Sequence, residues 1–221
     1  MIGDYLPFWE KLGKAEQEKL EGCAKKQTFK KGTLVAGEHR ECTGILVVTK
    51  GQLRVFVLSE EGKEITLFRL LERDFCLFSA SCTMNGLTFD VMIEAMEETE
   101  VYRIPPEVYK QLREQSLAIS NYTSEVMASR FSDVMWLLDQ ILNKRLDSRL
   151  AALLLEESSL AASEVITVTH EQLGNHLGSP REVITRMLRH FQKEQLIGMS
   201  RGKIELLDTE RLTALAEDSI R

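Results

Sequence analysis

The sequence predicts an α+β fold with three consecutive parts: an antiparallel β unit, one long helix, and a compact C-terminal unit of helices and strands. Three observations predict it. Short apolar runs alternate with turn residues from about residue 28 to 104, a helical pattern extends from about 107 to 143, and two short helices flank a tight turn near the C-terminus. We place the parts at residues 1–117, 118–143 and 144–221.

Composition narrows the class of protein. The 221 residues are 43% apolar and 28% charged, which is ordinary for a chain that buries hydrophobic cores. The formal net charge of −6 excludes a protein that binds nucleic acid through a surface that is basic overall. Any contact with DNA must therefore come from a local basic face.

The cysteines and the N-terminus indicate the compartment. Cys23, Cys42, Cys76 and Cys82 form no CxxC pair, and the first 20 residues lack the apolar core of a signal peptide. No apolar run has the length of a membrane span. We therefore expect a cytoplasmic protein with free thiols and no membrane partner.

The first part begins with one or two short helices over residues 5–25 and continues as strands. Alternating patterns separated by turns every 8–12 residues are typical of an antiparallel unit. The predicted strands are at residues 33–35, 45–48, 53–57, 65–68, 89–95 and 101–104.

The long helix has a narrow apolar seam with 4-3-4-3 spacing, which is typical of helices that pair with one another. Its residues are Met127, Phe131, Val134, Leu138 and Ile141. A second stripe, Val126, Met135 and Leu137, lies beside it and can pack on the β unit. Two stripes need two partners, so we expect a homodimer, although a helix covering only its own domain is the alternative.

The third part contains a helix at 144–157, a loop at 158–164 and a strand at 165–168. Thr169 and Gln172 then form a capping box, and Gly178 ends that helix. Ser179 is predicted to cap a second helix with Pro180 at its first position and Glu182 at its third. Its inner face is Val183, Ile184, Met187, Leu188 and Phe191, and a hairpin follows around Arg201 and Gly202. This pattern is a helix-turn-helix with a wing.

The outer face of the second helix carries Arg181, Glu182, Thr185, Arg186 and Arg189. Residues 179–203 hold six basic and two acidic side chains, a local excess that indicates double-stranded DNA as a partner. Arg pairs with guanine and Glu with cytosine in the major groove. Phosphate contacts are expected from Thr169, His170, Ser179, Thr185 and Arg201. The alternative is that this charged face is simply exposed to solvent, in a winged helix that binds another protein and not DNA.

Residues 178–186 (GSPREVITR) resemble the recognition helix of the Crp/Fnr superfamily, the cyclic-AMP receptor protein and FNR relatives. The β unit is similar too, at 36–38 (AGE), 50–55 (KGQLRV) and 61–64 (EGKE). The resemblance implies a double-stranded β-roll of the cyclic-nucleotide-binding type, a dimerisation helix and a C-terminal winged helix-turn-helix. It also implies a transcription regulator, not an enzyme, with RNA polymerase as a partner.

The resemblance further implies base reading by Arg181, Glu182 and Arg186, which match the three base-reading positions of the cyclic-AMP receptor branch. The expected operator is a palindrome with TGTGA-type half-sites about 34 Å apart on one DNA face. An effector sensed in the roll would act through the segment from Asn143 to Arg149, where the long helix ends.

The sequence departs from the family where cyclic nucleotides bind. Leu77-Phe78 replaces the Gly-Glu pair of the phosphate cassette, and no Arg or Lys lies between Arg73 and Arg103. A buried phosphate needs a cation or several N–H donors, so we do not expect cyclic AMP. The candidate effector pocket comprises Cys76, Phe78, Cys82, Met84, Tyr122 and Met127.

Four interpretations of this apolar, sulfur-rich segment stay open, and the cofactor is unknown. They are inert packing of the cysteines, an uncharged small effector, thiol redox sensing by Cys76 and Cys82, and haem bound near Cys76 as in the carbon-monoxide-sensing regulators. An N-terminal cysteine cluster for iron–sulfur binding is absent from the sequence. We expect no metal site and no catalytic residues.

Overall fold

The computed structural model describes residues 1–37, 43–79 and 91–220. It divides into two compact units. The first comprises Met1–Leu58 and Leu67–Val134, and the second comprises Ser59–Thr66 and the chain from Met135 onward.

The first unit is built on two four-stranded sheets. After short 3-10 turns at Ile2–Tyr5 and Trp9–Lys11 come helix α1 and the first eight strands. One sheet has the order β1-β8-β3-β6 and the other β2-β7-β4-β5, and every strand pair whose register is described is antiparallel. The bounds are α1 Lys14–Cys23, β1 Lys25–Phe29, β2 Leu34–Ala36, β3 Ile45–Lys50, β4 Leu53–Leu58, β5 Glu64–Leu70, β6 Phe75–Cys76, β7 Met92–Ala95 and β8 Thr99–Ile104.

Strand β3 is covered on both faces, which explains its unbroken apolar run. Leu46 and Val48 point into the core between the two sheets, together with Leu53 and Ile93. Ile45 and Val47 point the other way, into a second core shared with the N-terminal turns and the helices that follow the strands. The roll therefore has two cores: one lies between the two sheets, and the other lies between the first sheet and the helices that pack on its outer face.

The helical pattern from 107 to 143 is two helices, not one. Helix α2 covers Pro106–Gln115 and α3 covers Leu117–Asn143, separated by Ser116 in an extended conformation. The buried side chain of Thr123 donates to the carbonyl of Ile119 (2.7 Å), so the Tyr109 hydroxyl, 2.6 Å away, donates to Thr123. This contact joins α2 to α3, and burial raises the pKa of Tyr109 to about 12.

The second unit packs four helices against a three-stranded sheet of order β10-β11-β9. The core comes from all of them, with Leu150, Leu173, Ile184, Leu188 and Phe191 among its buried members. The bounds are α4 Leu146–Ala161, β9 Val165–Ile166, α5 His170–Leu177, α6 Arg181–Lys193, β10 Ile197–Ser200, β11 Lys203–Leu206 and α7 Thr209–Ala216.

The predicted loop at 158–164 is wrong in its first half. Helix α4 continues to Ala161 because Ser158 and Ser159 do not break a helix, and it ends where Ala162 turns left-handed at φ 46°. The predicted strand at 165–168 shortens to Val165–Ile166.

The α+β architecture itself is confirmed: a β-roll, a long helix and a winged helix-turn-helix. Among the described helices, none combines the length and apolarity needed to cross a bilayer.

Candidate nucleic-acid interface and the interior of the roll

The start of α5 is closed by the predicted capping box. Thr169 Oγ1 accepts from the backbone N–H of Gln172 (3.1 Å), and Gln172 Oε1 accepts from the backbone N–H of Thr169 (2.8 Å). Two of the N–H groups that a helix start leaves free are thus satisfied by local side chains. The prediction is confirmed, and Thr169 itself is exposed at this end of the helix.

The turn between α5 and α6 requires glycine twice. Gly178 ends α5 with φ 65°, the left-handed conformation that the sequence predicts there. At Gly174 a Cβ atom would lie 2.5 Å from the carbonyl oxygen of Ser179, so only hydrogen fits between α5 and the turn. These glycines set the short connection that places α6 against α5.

The predicted cap of α6 is wrong by one residue. Pro180, not Ser179, is the N-cap: its φ of −57° and ψ of 141° are non-helical, and its carbonyl accepts from Val183 (3.0 Å) and Ile184 (3.2 Å). The N-cap makes no side-chain cap bond, and Glu182 stands second in the helix. The difference lies in Pro180 itself: its ψ is extended, so the first helical residue is Arg181 and the helix begins one residue later than predicted.

Helix α6 separates a buried face from a charged one. Ile184, Leu188 and Phe191 are buried in the core of the second unit. Arg181, Glu182 and Arg186, the predicted base-reading residues, are all exposed. Arg201 is exposed at the turn of the β10–β11 hairpin, the wing. The charged side chains expected at a DNA surface are therefore outside the protein core.

A side-chain contact between α5 and α6 was not predicted from the sequence. His170 Nδ1 lies 2.9 Å from Thr185 Oγ1, and Thr185 Oγ1 donates to the carbonyl oxygen of Arg181 (2.8 Å). The hydroxyl of Thr185, a predicted phosphate contact, thus forms both of these hydrogen bonds within the protein. The only sequence signal is that both residues are polar and face the same inter-helix surface.

The pKa of His170 is lowered from its ordinary value. Burial is the main cause, and the guanidinium groups of Arg181 and Arg189 add to it by disfavouring a second positive charge. The imidazole is therefore neutral at pH 7 in the free protein.

The four described members of the predicted effector pocket lie in two different cores. Cys76 and Phe78 pack between the two sheets, where Phe78 contacts Phe68 with ring centroids 5.7 Å apart. Tyr122 and Met127 pack in the core on the outer side of the first sheet. Cys82 and Met84 lie outside the described residues. Burial raises the pKa of the Cys76 thiol, which makes it a weak nucleophile.

A cation that the sequence did not indicate reaches the roll from α3. Arg130 bonds Asp133 (2.9 Å) and Asp74 (3.4 Å), and its guanidinium carbon lies 4.7 Å from the centroid of the Phe68 ring. Sequence spacing could not reveal this contact, because Arg130 is far from Asp74 and Phe68 along the chain.

Comparison with known proteins decides the family. Residues 26–116 match the cyclic nucleotide-binding domain family and residues 148–215 match the Crp-like helix-turn-helix domain. A solved structure of a transcriptional regulator of the crp/fnr family from Eubacterium rectale is 50% identical with a TM-score of 0.94, covering 97% of this chain and 99% of that chain. The transcriptional regulator SdrP of Thermus thermophilus is 30% identical over 77% of this chain and 82% of SdrP. The chain belongs to the Crp/Fnr family.

The transcriptional activator Anr of Pseudomonas protegens is a further relative, 27% identical over 87% of this chain and 80% of Anr. The predicted resemblance is thus confirmed, and the chain is a Crp/Fnr-type transcription regulator with a helix-turn-helix DNA-binding domain. These relatives are regulators, which confirms the prediction that the chain is not an enzyme.

The long helix of this Crp/Fnr regulator exposes most of its predicted seam. Met127 is half-buried against the roll, but Phe131 is 69% exposed. Val134, Leu138 and Ile141 continue the exposed stripe, and Met135 lies beside it. A row of large apolar side chains in water is unusual for a helix that has all its partners within one chain.

Proposed function

We propose that this Crp/Fnr regulator acts as a homodimer that binds a palindromic operator with TGTGA-type half-sites. The observation that carries the proposal is the arrangement of α6, with Ile184, Leu188 and Phe191 buried and Arg181, Glu182 and Arg186 exposed. Guanidinium and carboxylate groups at the start of a helix can pair with guanine and cytosine in the major groove. The role of these three residues in reading bases is part of the proposal.

Phosphate contacts would fix the register of the helix on the duplex. Thr169 and His170 at the start of α5, Ser179 in the turn and Arg201 in the wing are at least partly exposed. Thr185 can join them only by giving up one of its two internal hydrogen bonds. We therefore assign the phosphate contact of this pair to His170.

The homodimer would form through α3, by pairing Phe131, Val134, Leu138 and Ile141 with the same residues of a second copy. Their exposure in the single chain and their spacing both support pairing of helices. Dimerisation gives two recognition helices for two half-sites, with centres about one helical turn, or 34 Å, apart.

An effector other than cyclic AMP would gate this binding from the roll. Leu77 and Phe78 are buried where the family holds a phosphate, and both lie in apolar cores. A small uncharged molecule fits such surroundings better than a phosphate does. In this proposal, residues 1–117 are the sensor, residues 118–143 the dimerisation helix and residues 144–221 the DNA-binding domain. The proposal also includes RNA polymerase as a partner and the cytoplasm as the compartment.

Fluorescence anisotropy with purified protein tests the operator at fixed salt. The probe duplex carries two inverted TGTGA half-sites. One control duplex has the same bases permuted, and another separates the half-sites by about five extra base pairs, half a helical turn. We expect the probe to bind at least about a hundredfold more tightly than the permuted duplex, and the extra spacing to remove most of that advantage. Equal affinity for all three duplexes would overturn the proposal.

A further inference from the structure

The hydrogen bonds around Thr185 determine which nitrogen of His170 carries its proton. A hydroxyl has one proton, and Thr185 donates it to the carbonyl of Arg181 (2.8 Å), a common bond of threonine within helices. Toward His170 Nδ1, 2.9 Å away, the same oxygen can only accept. Nδ1 therefore bears the hydrogen, and Nε2 is the nitrogen that gains or loses a proton.

The bond through Nδ1 fixes the ring between two helices. His170 is the first residue of α5, and Thr185 stands in the first half of α6, one turn after Arg181. The imidazole thus connects the start of α5 to the part of α6 that carries the base-reading residues. Because Nδ1 is already bonded, Nε2 is the polar atom that the ring can offer to another molecule.

The charges around His170 oppose its protonation in the free protein. Arg181 and Arg189 come from α6 and lower its pKa together with burial. Glu171 is the neighbouring carboxylate on α5 itself. Helix α4 also packs on α5, but its Arg149 bonds the carbonyl of Leu177 at the opposite end. The neutral imidazole therefore presents a lone pair at Nε2, and a lone pair does not bind a phosphate.

We propose that His170 takes up a proton when the protein binds DNA, so that Nε2–H bonds a backbone phosphate while Nδ1–H holds Thr185 and the start of α6. This inference rests on the proposed operator binding. His170 is a positioning residue for the recognition helix and, at the same time, a contact to the phosphate backbone.

The direction of the pH effect follows from linkage. A phosphate beside Nε2 favours the charged imidazole, so the pKa of His170 is higher in the complex than in the free protein. The complex then holds more protons than its separate parts, and affinity rises as the pH falls between the two pKa values. The largest slope is about tenfold in affinity per pH unit for each protomer, and a dimer on two half-sites can show up to twice that slope on a logarithmic scale.

The first experiment observes the ring directly in the full-length protein without DNA. Nitrogen-15 NMR distinguishes the two neutral tautomers of each histidine by the chemical shifts of its ring nitrogens. We expect the Nδ1–H tautomer for His170, assigned by its loss in His170→Asn. The Nε2–H tautomer would overturn the proposal, whatever the DNA affinity.

The second experiment measures affinity for the operator and for the permuted duplex from about pH 5.5 to pH 8.5, the range in which histidine titrates. For the wild type we expect affinity to fall as the pH rises, on both duplexes, because the phosphate contact does not depend on sequence. His170→Asn keeps a donor where Nδ1 lies but has no Nε2, and His170→Gln keeps a donor near Nε2 that does not titrate. Both variants should lose most of the slope.

His190→Gln is the matched control, because His190 is an exposed histidine of the other helix of the pair, α6, and should leave the slope unchanged. A slope that is the same in wild type and in His170→Asn would overturn the inference while the operator preference stands. Loss of the preference between the two duplexes at every pH would instead remove the proposed function.

Discussion

Arg149 Nη2 on α4 donates a hydrogen bond of 2.9 Å to the carbonyl oxygen of Leu177, the last residue of α5. Carbonyl groups at the end of a helix have no partner within the helix. A positive charge placed there also interacts favourably with the negative end of the helix dipole. Burial lowers the pKa of Arg149, but an arginine keeps its charge at neutral pH. The bond ties α4 to the end of the helix that precedes the turn.

Replacing Arg149 by methionine should destabilise the second unit. The substitution retains most of the apolar stem but leaves the carbonyl of Leu177 without its charged donor, which costs about 1–3 kcal/mol. Urea denaturation at one fixed protein concentration measures the change. Arg145→Met is the control, since Arg145 is exposed and forms an ion pair with the nearby Asp147 at the protein surface; its cost should stay below about 0.5 kcal/mol. Equal losses in the two variants would show that the bond has no special role.

The exposed stripe of α3 should set the oligomeric state. Leu138→Glu places a charge where two copies would meet, so it should shift the dimer toward monomer by at least about tenfold in dissociation constant. Sedimentation equilibrium measures this shift. Leu117→Glu is the matched control, because Leu117 is 75% exposed on the same helix but lies outside the stripe. A wild-type protein that is monomeric at every concentration would contradict the proposed assembly.

Cys76 should be chemically inert in the folded protein. Its side chain is buried and its pKa is raised, so both access and the thiolate fraction are low. We expect alkylation at pH 7 to be at least about tenfold slower at Cys76 than at the half-buried Cys23, and the difference to vanish in urea. Mass spectrometry of peptides after timed labelling separates the two sites. Rapid native labelling of Cys76 would favour thiol sensing over packing.

Local signals in the sequence predicted the parts of the fold that depend on neighbouring residues. The capping box of Thr169 and the left-handed Gly178 could be predicted because each depends on a few adjacent positions. The sequence predicts the cap of α6 one residue early, at Ser179, because the motif does not show whether the backbone of Pro180 is helical or extended. It does not predict the break at Ser116, because the residues on both sides have helical patterns.

The contacts that position the site could not be predicted in the same way. His170 and Thr185, and Arg130 with Asp74, meet only after the helices and strands have packed. Polar side chains on amphipathic helices have many possible partners, and spacing along the chain does not select among them. The exposure of Arg181 and Arg186, in contrast, follows from the periodicity that buries Ile184 and Leu188.

The most direct test of sequence reading by α6 measures the affinity of wild type, Arg181→Ala and Arg201→Ala for operators in which each base pair of a half-site is changed in turn. We expect Arg181→Ala to lose discrimination at one position, by about 1–3 kcal/mol, and to keep it elsewhere. Arg201→Ala should weaken binding to every sequence alike and lower the salt slope by about one. Identical affinities for all sequences in both wild type and Arg181→Ala would contradict the account.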